Sequence, residues 1–126
     1  MAVNKEIDIV AIGRRIREER TKLDLTREEL AEIVGLSDYY VGQLERGERQ
    51  MSLPVLVKIA SCLHISLDYL IFGKTHKTYS VLNENHGDYT PAIIEELNEL
   101  LNKCSPPELE LIKKLIKVIL PYVNTK

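Results

Sequence analysis

Between residues 9 and 23 apolar side chains return near every third or fourth position, at Ile12, Ile16 and Leu23, with Arg14, Arg15, Arg17, Glu18 and Glu19 among them. That period predicts an amphipathic helix. Asp24 and Leu25 interrupt the stripe. Thr26 then stands three residues before Glu29, the spacing of a capping box, in which each side chain bonds the other residue's backbone N–H. Leu30, Ala31 and Val34 supply the next apolar face, and Gly35 suits a left-handed stop. Ser37 opens a third helix with Val41 and Leu44 turned inward, and Gly47 ends it. Ser52 opens a fourth, whose stripe is Leu53, Leu56, Val57, Ile59, Ala60 and Leu63. Pro54 is tolerated there because first-turn N–H groups have no helical acceptor. Ser66 opens a short fifth helix with Leu67, Leu70 and Ile71, stopped by Gly73. No long alternating pattern occurs, so this half of the chain reads as all-α.

Residues 74–90 hold turn formers and polar residues without a helical period and read as a linker, with a short strand at 78–82 as the minor alternative. Two further helices follow. Thr90-Pro91 is a cap followed by proline at the first helical position, and Ile93, Ile94, Leu97, Leu100 and Leu101 share a face. Ser105 and Glu108 form a second capping signature, and Pro121 ends the run. Eight of the thirteen residues from 108 to 120 are apolar, more than one buried stripe needs. Either this helix packs only on residues 93–101 and the first domain, or it also meets a second subunit. The second alternative is favoured, because so broad an apolar surface left open invites aggregation. Leu109, Ile112, Leu115, Ile116 and Ile119 are the expected dimerisation residues.

Composition narrows the classes. The 126 residues are 44% hydrophobic and 29% charged, enough for one folded domain with a small appendage. No run of about 18 apolar residues is present, so no membrane span is expected. The charged start of the chain does not resemble a signal peptide, and two cysteines make no disulfide framework. A cytoplasmic protein is expected. Cys62 falls in the apolar region of the fourth helix and reads as core; Cys104 precedes a cap. His64, His76 and His86 lack metal-ligand spacing, and no nucleophilic triad, phosphate loop or paired-carboxylate motif occurs. No metal, no cofactor and no enzymatic activity are therefore expected. The net charge of −2 gives no sign of an anionic partner; positive charge for such a partner must be segregated in space.

Ala31, Gly35, Val41 and Leu44 stand at offsets 0, 4, 10 and 13: a small residue where helices cross, a glycine in the turn, and two inward anchors. This is a helix-turn-helix spacing. With the flanking segments "IGRRIREERTKLDL" and "SLPVLVKIASCLHISLDYLIFG", residues 9–73 resemble the Cro/lambda-repressor-type, or xenobiotic-response-element, helix-turn-helix family over about half the chain. The resemblance implies a five-helix lambda-repressor-like DNA-binding domain at 1–73. The residue pattern itself adds a linker at 74–90 and a C-terminal two-helix dimerisation hairpin at 91–126, so the whole chain is expected to be all-α. The resemblance also implies a transcriptional regulator, a repressor, that binds double-stranded DNA as a homodimer and places the helix at 37–46 in the major groove.

Carried over by position, Ser37, Asp38, Tyr39, Gly42 and Gln43 would face the bases. Gln43 suits adenine N6 and N7, and Asp38 suits cytosine N4. Tyr39 offers a ring for a thymine methyl, and Gly42 a close approach. Arg14, Arg17, Arg27, Arg46 and Arg49 would meet phosphates, Arg27 at a helix N-terminus where the dipole helps. Arg20 and Glu45 match an internal salt bridge of the family. Plainer roles compete. Asp38 could serve its helix N-terminus, Gly42 could be a neutral surface residue, Tyr40 reads as packing, and Arg14 could pair with Glu18. The acidic residues near the recognition helix also motivate the alternative of a protein-interaction module or antirepressor that keeps the fold without binding DNA. Control by a regulatory protein partner, by abundance or by proteolysis is expected rather than control by a small ligand.

Overall fold

The computed structural model describes residues 7–73 and 90–123. The first five helices are α1 (Ile9–Lys22), α2 (Arg27–Val34), α3 (Asp38–Glu45), α4 (Leu53–Leu63) and α5 (Leu67–Phe72). They are followed by α6 (Thr90–Leu101), α7 (Pro106–Ile119) and a 3₁₀ turn, Leu120–Tyr122. The linker expected at 74–90 and the alternative strand at 78–82 lie outside the described residues, except that Thr90 already belongs to α6.

Every start of the first five helices has a local cause. The Asp8 carboxylate accepts from the N–H groups of Val10 and Ala11 and starts α1. Thr26 and Glu29 form the full capping box of α2, and Gly35 ends it at φ 76°. Ser37, Ser52 and Ser66 each cap a helix through the N–H three residues on. Such caps satisfy donors that the helix itself cannot. One stop was not foreseen: α4 ends on His64 at φ 57°, a left-handed position held without glycine.

The core is assembled from Ile12 and Ile16 of α1, Leu30 and Ala31 of α2, Val41 and Leu44 of α3, Ile59 and Leu63 of α4, and Leu70 of α5. Helix α1 packs on α3, α4 and α5, while α2 packs on α3 and α4. The stripe expected along α4 needs correction. Leu53 and Val57 are exposed, whereas Cys62 is buried as expected. Full burial is confined to the second half of α4, while Val55 and Leu56 in its first half pack on the rim of the core. Burial pushes the Cys62 thiol up to about 11, as a small apolar core residue would behave.

Nothing in the local sequence marks Gly13. A Cβ there would collide with the backbone carbonyls of Leu44 and Glu45. Glycine at this position is what lets α1 cross the C-terminal end of α3 at backbone contact.

The last helices behave differently. A capping box of Ser105 and Glu108 starts α7, yet no residue of α7 is buried. Among the described residues α6 makes no extensive contact with any other element. The chain returns to the first domain through the 3₁₀ turn, which packs on α4 and buries Pro121. His64 Nε2 meets the Leu120 carbonyl oxygen at 2.5 Å, and Lys117 donates to Asp24 at 3.2 Å. No helix among the described residues is long and apolar enough to cross a membrane.

Candidate nucleic-acid interface

Val41 and Leu44 are fully buried, which fixes the rotation of α3 about its axis. The helical period then turns Asp38, Tyr39 and Gln43 to the other side. Tyr39 is 71% exposed, the most open large aromatic of the first domain, and Asp38 and Gln43 are half-buried. Ser37 is exposed, but its hydroxyl accepts the Tyr40 N–H as the helix cap. Tyr40 packs partly against the core, as expected, and the Arg49 guanidinium lies 5.1 Å from its ring centre.

Gly42 is not open. It is buried, and the position its Cβ would take lies 2.9 Å from Nη1 of Arg27 and 3.1 Å from Nη1 of Arg46. The two guanidinium groups cover the helix at this point. The close approach expected for Gly42 is therefore to arginine side chains of its own chain.

Each of these arginines is gripped by a carboxylate. Arg27 donates from Nε and Nη2 to the two oxygens of Asp38, at 2.6 and 3.0 Å. Arg46 donates in the same manner to Glu48, at 2.9 and 3.3 Å. Two parallel bonds fix the plane of a guanidinium as well as its place. The Arg27 bond holds Asp38 below the usual carboxylate range, and the Arg46 bond does the same to Glu48. Both arginines are correspondingly raised by their carboxylate partners. The Arg27–Asp38 pair joins a residue expected at phosphate to one expected at a base, eleven positions apart, across the α2–α3 turn.

A hollow of about 250 Å³ opens beside this arrangement, lined by Arg17, Arg20, Arg27, Gly42, Glu45 and Arg46. Its floor is the foreseen salt bridge. Arg20 bonds Glu45 at 2.7 and 3.1 Å and gives its remaining Nη1 to the Leu25 carbonyl. The Glu45 side chain is only 6% exposed, so this pair is structural. Among the described residues Arg17 has no carboxylate partner.

The five arginines expected at phosphate thus divide. Arg17, Arg27 and Arg46 surround Gly42. Arg49 sits toward Gln43, whose Oε1 it reaches at 3.4 Å. Arg14 lies outside the hollow, exposed, with its guanidinium facing Glu18 one turn on at 3.9 Å. Arg15, which the sequence presented only as a spacer, donates to the carbonyls of Leu70 and Ile71 and closes the C-terminal end of α5.

Residues 16–70 match the model of a family described as helix-turn-helix. The chain is 33% identical over 81 residues to repressor protein C2 of Salmonella phage P22, covering 62% of this chain but only 38% of that repressor. It therefore spans well under half the length of this relative. To control protein C.SmaI of Serratia marcescens it is 37% identical over 60 residues, 48% of this chain and 71% of that protein. The crystal structure of the restriction-modification controller protein C.AhdI from Aeromonas hydrophila is 44% identical. The match covers 51% of this chain and 97% of that one, with a TM-score of 0.49.

Proposed function

Since this chain belongs to the xenobiotic-response-element helix-turn-helix family, we propose that it is a sequence-specific DNA-binding transcriptional regulator, a repressor, that reads a two-fold operator as a homodimer. The observation that carries the reading is the outward face of α3: exposed Tyr39 and half-buried Gln43 beside Arg17, Arg27, Arg46 and Arg49, on a helix whose rotation is fixed by the buried Val41 and Leu44. A helix of eight residues is about 12 Å long and fits the major groove, which is about as wide. Gln43 then reads adenine through N6 and N7, and Tyr39 packs on a thymine methyl or bonds a phosphate. Repression agrees with the name of the phage relative, which is itself called a repressor.

Dimerisation is assigned to residues 91–122. Leu97, Leu100, Leu109, Leu115, Ile116 and Ile119 are all exposed in the single chain, on helices that bury little against their own domain. A second copy covering them would place two recognition helices on one duplex, with half-sites about 34 Å apart or a multiple of that. Linking the half-sites in this way raises the effective concentration for the second contact.

One observation favours a different reading. Arg27 and Arg46 are already neutralised by Asp38 and Glu48 on the same face, which suits a module that meets a regulatory protein rather than DNA. Selection from random duplexes at low salt separates the two. The DNA-binding reading expects an enriched two-fold sequence. On that sequence Gln43→Ala relaxes preference at one base pair of each half-site by roughly 1–3 kcal/mol, and Arg27→Ala weakens all duplexes alike. Enrichment of no sequence would leave the protein-interaction module standing.

A further inference from the structure

Among the described residues, Asp24 and His64 are the two that hold a left-handed backbone without being glycine, both at φ 57°. That region is costly for a residue with a Cβ, and α2 and α5 meet it with glycine, at Gly35 and Gly73. Asp24 and His64 share a second property: both bond the end of α7. Lys117 Nζ donates to the Asp24 carboxylate at 3.2 Å, 93 positions away. His64 Nε2 donates to the carbonyl oxygen of Leu120, the C-cap of α7. Pro121 is buried where the 3₁₀ turn packs on α4. Lys117, Leu120 and Pro121 stand at i, i+3 and i+4 and so share one side of the helix end, whereas Leu115, Ile116 and Ile119 are exposed.

No other extensive contact joins the last two helices to the first domain among the described residues. Helix α7 buries none of its own residues, and α6 packs extensively on no element. The direction in which α7 leaves the first domain is therefore set at its C-terminal end. We propose that the turn Leu120–Tyr122 is a strap that fixes the angle between α7 and the DNA-binding domain, and that His64 and Asp24 are positioning residues through which this angle sets the half-site spacing the dimer accepts. This rests on the DNA-binding homodimer proposed above and adds to it what decides the separation of the two recognition helices. Fourteen residues make α7 about 21 Å long. A tilt of about 10° at the strap then carries its far end through about 4 Å, close to the rise of one base pair, about 3.4 Å. His64 carries the larger share. Its bond is half-buried, whereas the Asp24 side chain is 68% exposed and its ion pair is screened by salt.

Two variants of the full-length chain separate the bond from the fold. Asparagine adopts the left-handed stop readily, so His64→Asn folds, but its shorter amide does not reach Leu120. Glutamine places an N–H donor at about the reach of Nε2, so His64→Gln restores the bond. Operators carrying the selected half-site at the preferred spacing, and at one base pair more or less, are compared. The wild type is expected to reject the altered spacings. In His64→Asn that rejection weakens roughly tenfold, the weight of one net hydrogen bond, while base preference within each half-site and sedimentation as a dimer stay unchanged. His64→Gln recovers the wild-type rejection. An unchanged spacing preference in His64→Asn, or a loosened one that His64→Gln does not recover, overturns the proposal. So does a changed base preference, which would place the action of His64 in α3, or a monomeric His64→Asn, which would place it in the subunit contact.

Should the wild type bind no duplex, or sediment as a monomer, the reading above fails by itself and takes the spacing role with it. The strap is then decided without DNA, by residual dipolar couplings of the backbone N–H groups of α1 and α7. One alignment frame for both helices in the wild type, with separate frames or a different angle in His64→Asn, keeps the strap. Separate frames in the wild type, or the same frame and angle in both proteins, discard it.

Discussion

Gly13 and Gly42 both lie inside helices, and a methyl group would meet different neighbours at each. At Gly13 it strikes the backbone of Leu44 and Glu45, which cannot rotate away. At Gly42 it strikes the tips of two arginines, which can. Gly13→Ala is therefore expected to lower stability in urea by roughly 1–3 kcal/mol through overpacking. Gly42→Ala should leave the urea midpoint unchanged or slightly higher, since alanine favours helix. Equal midpoints for the two variants would show that α1 and α3 do not cross as described. The Arg20–Glu45 pair gives a second test at this scale, because both side chains are largely buried. Glu45→Ala leaves a buried guanidinium short of its carboxylate, and a loss of about 3 kcal/mol is expected.

The exposed Arg27–Asp38 pair speaks through pH instead. Asp38 is depressed in the folded protein by the bond from Arg27. Its contribution is thus present above the ordinary carboxylate value of about 3.9 and lost as pH falls through the lower folded value. A carboxyl ¹³C titration of Asp38 should show the low value, and Arg27→Ala should restore the ordinary one.

At the scale of elements, short helices depend on their ends. Helix α2 has eight residues, too few to be stable alone in water. Its capping box satisfies two N–H groups, and Thr26→Ala is expected to cost about 1 kcal/mol, measured by thermal or urea unfolding. These ends were legible because a cap is a local event: serine or threonine, a few residues on a glutamate, and a closing glycine. The left-handed His64 was not legible. Its side chain meets Leu120, 56 positions away, and no local signal announces that contact. Leu53 and Val57 lie outside the buried stripe of α4 for a related reason. Periodicity gives the apolar face of a helix but not how much of its length the rest of the core covers.

For the whole molecule, α6 and α7 are apolar helices that the single chain does not bury. The proposed dimer predicts that Leu115→Glu, at a side chain already 54% exposed, leaves the helix content and melting of the first domain intact. The variant should sediment as a monomer and lose the cooperative part of operator binding. A variant that still sediments as a dimer would remove residues 91–122 from the interface. The charge pattern also emerges only at this scale. Residues 17, 27 and 46 are separated in sequence and interleaved with acids, so the near-neutral composition gave no sign that they gather in one place. Folding sets the three arginines around one hollow, leaves Arg14 facing Glu18 and seats Arg15 on the carbonyls of Leu70 and Ile71.

The sequence by itself determined the helices of the first domain, nearly all of their ends, the inward turn of Val41 and Leu44, and hence which side of α3 looks outward. All of these follow from backbone hydrogen bonding and a 3.6-residue period, which act within a few residues. Only the tertiary structure decided that Gly42 lies beneath two guanidinium groups, that Asp38 holds Arg27, and that Gly13 is a crossing point. Each of those is a meeting of side chains or backbones from different helices, set by interaxial distance and by competition among carboxylates for the same arginines, and neither quantity is written in the spacing of residues along one chain.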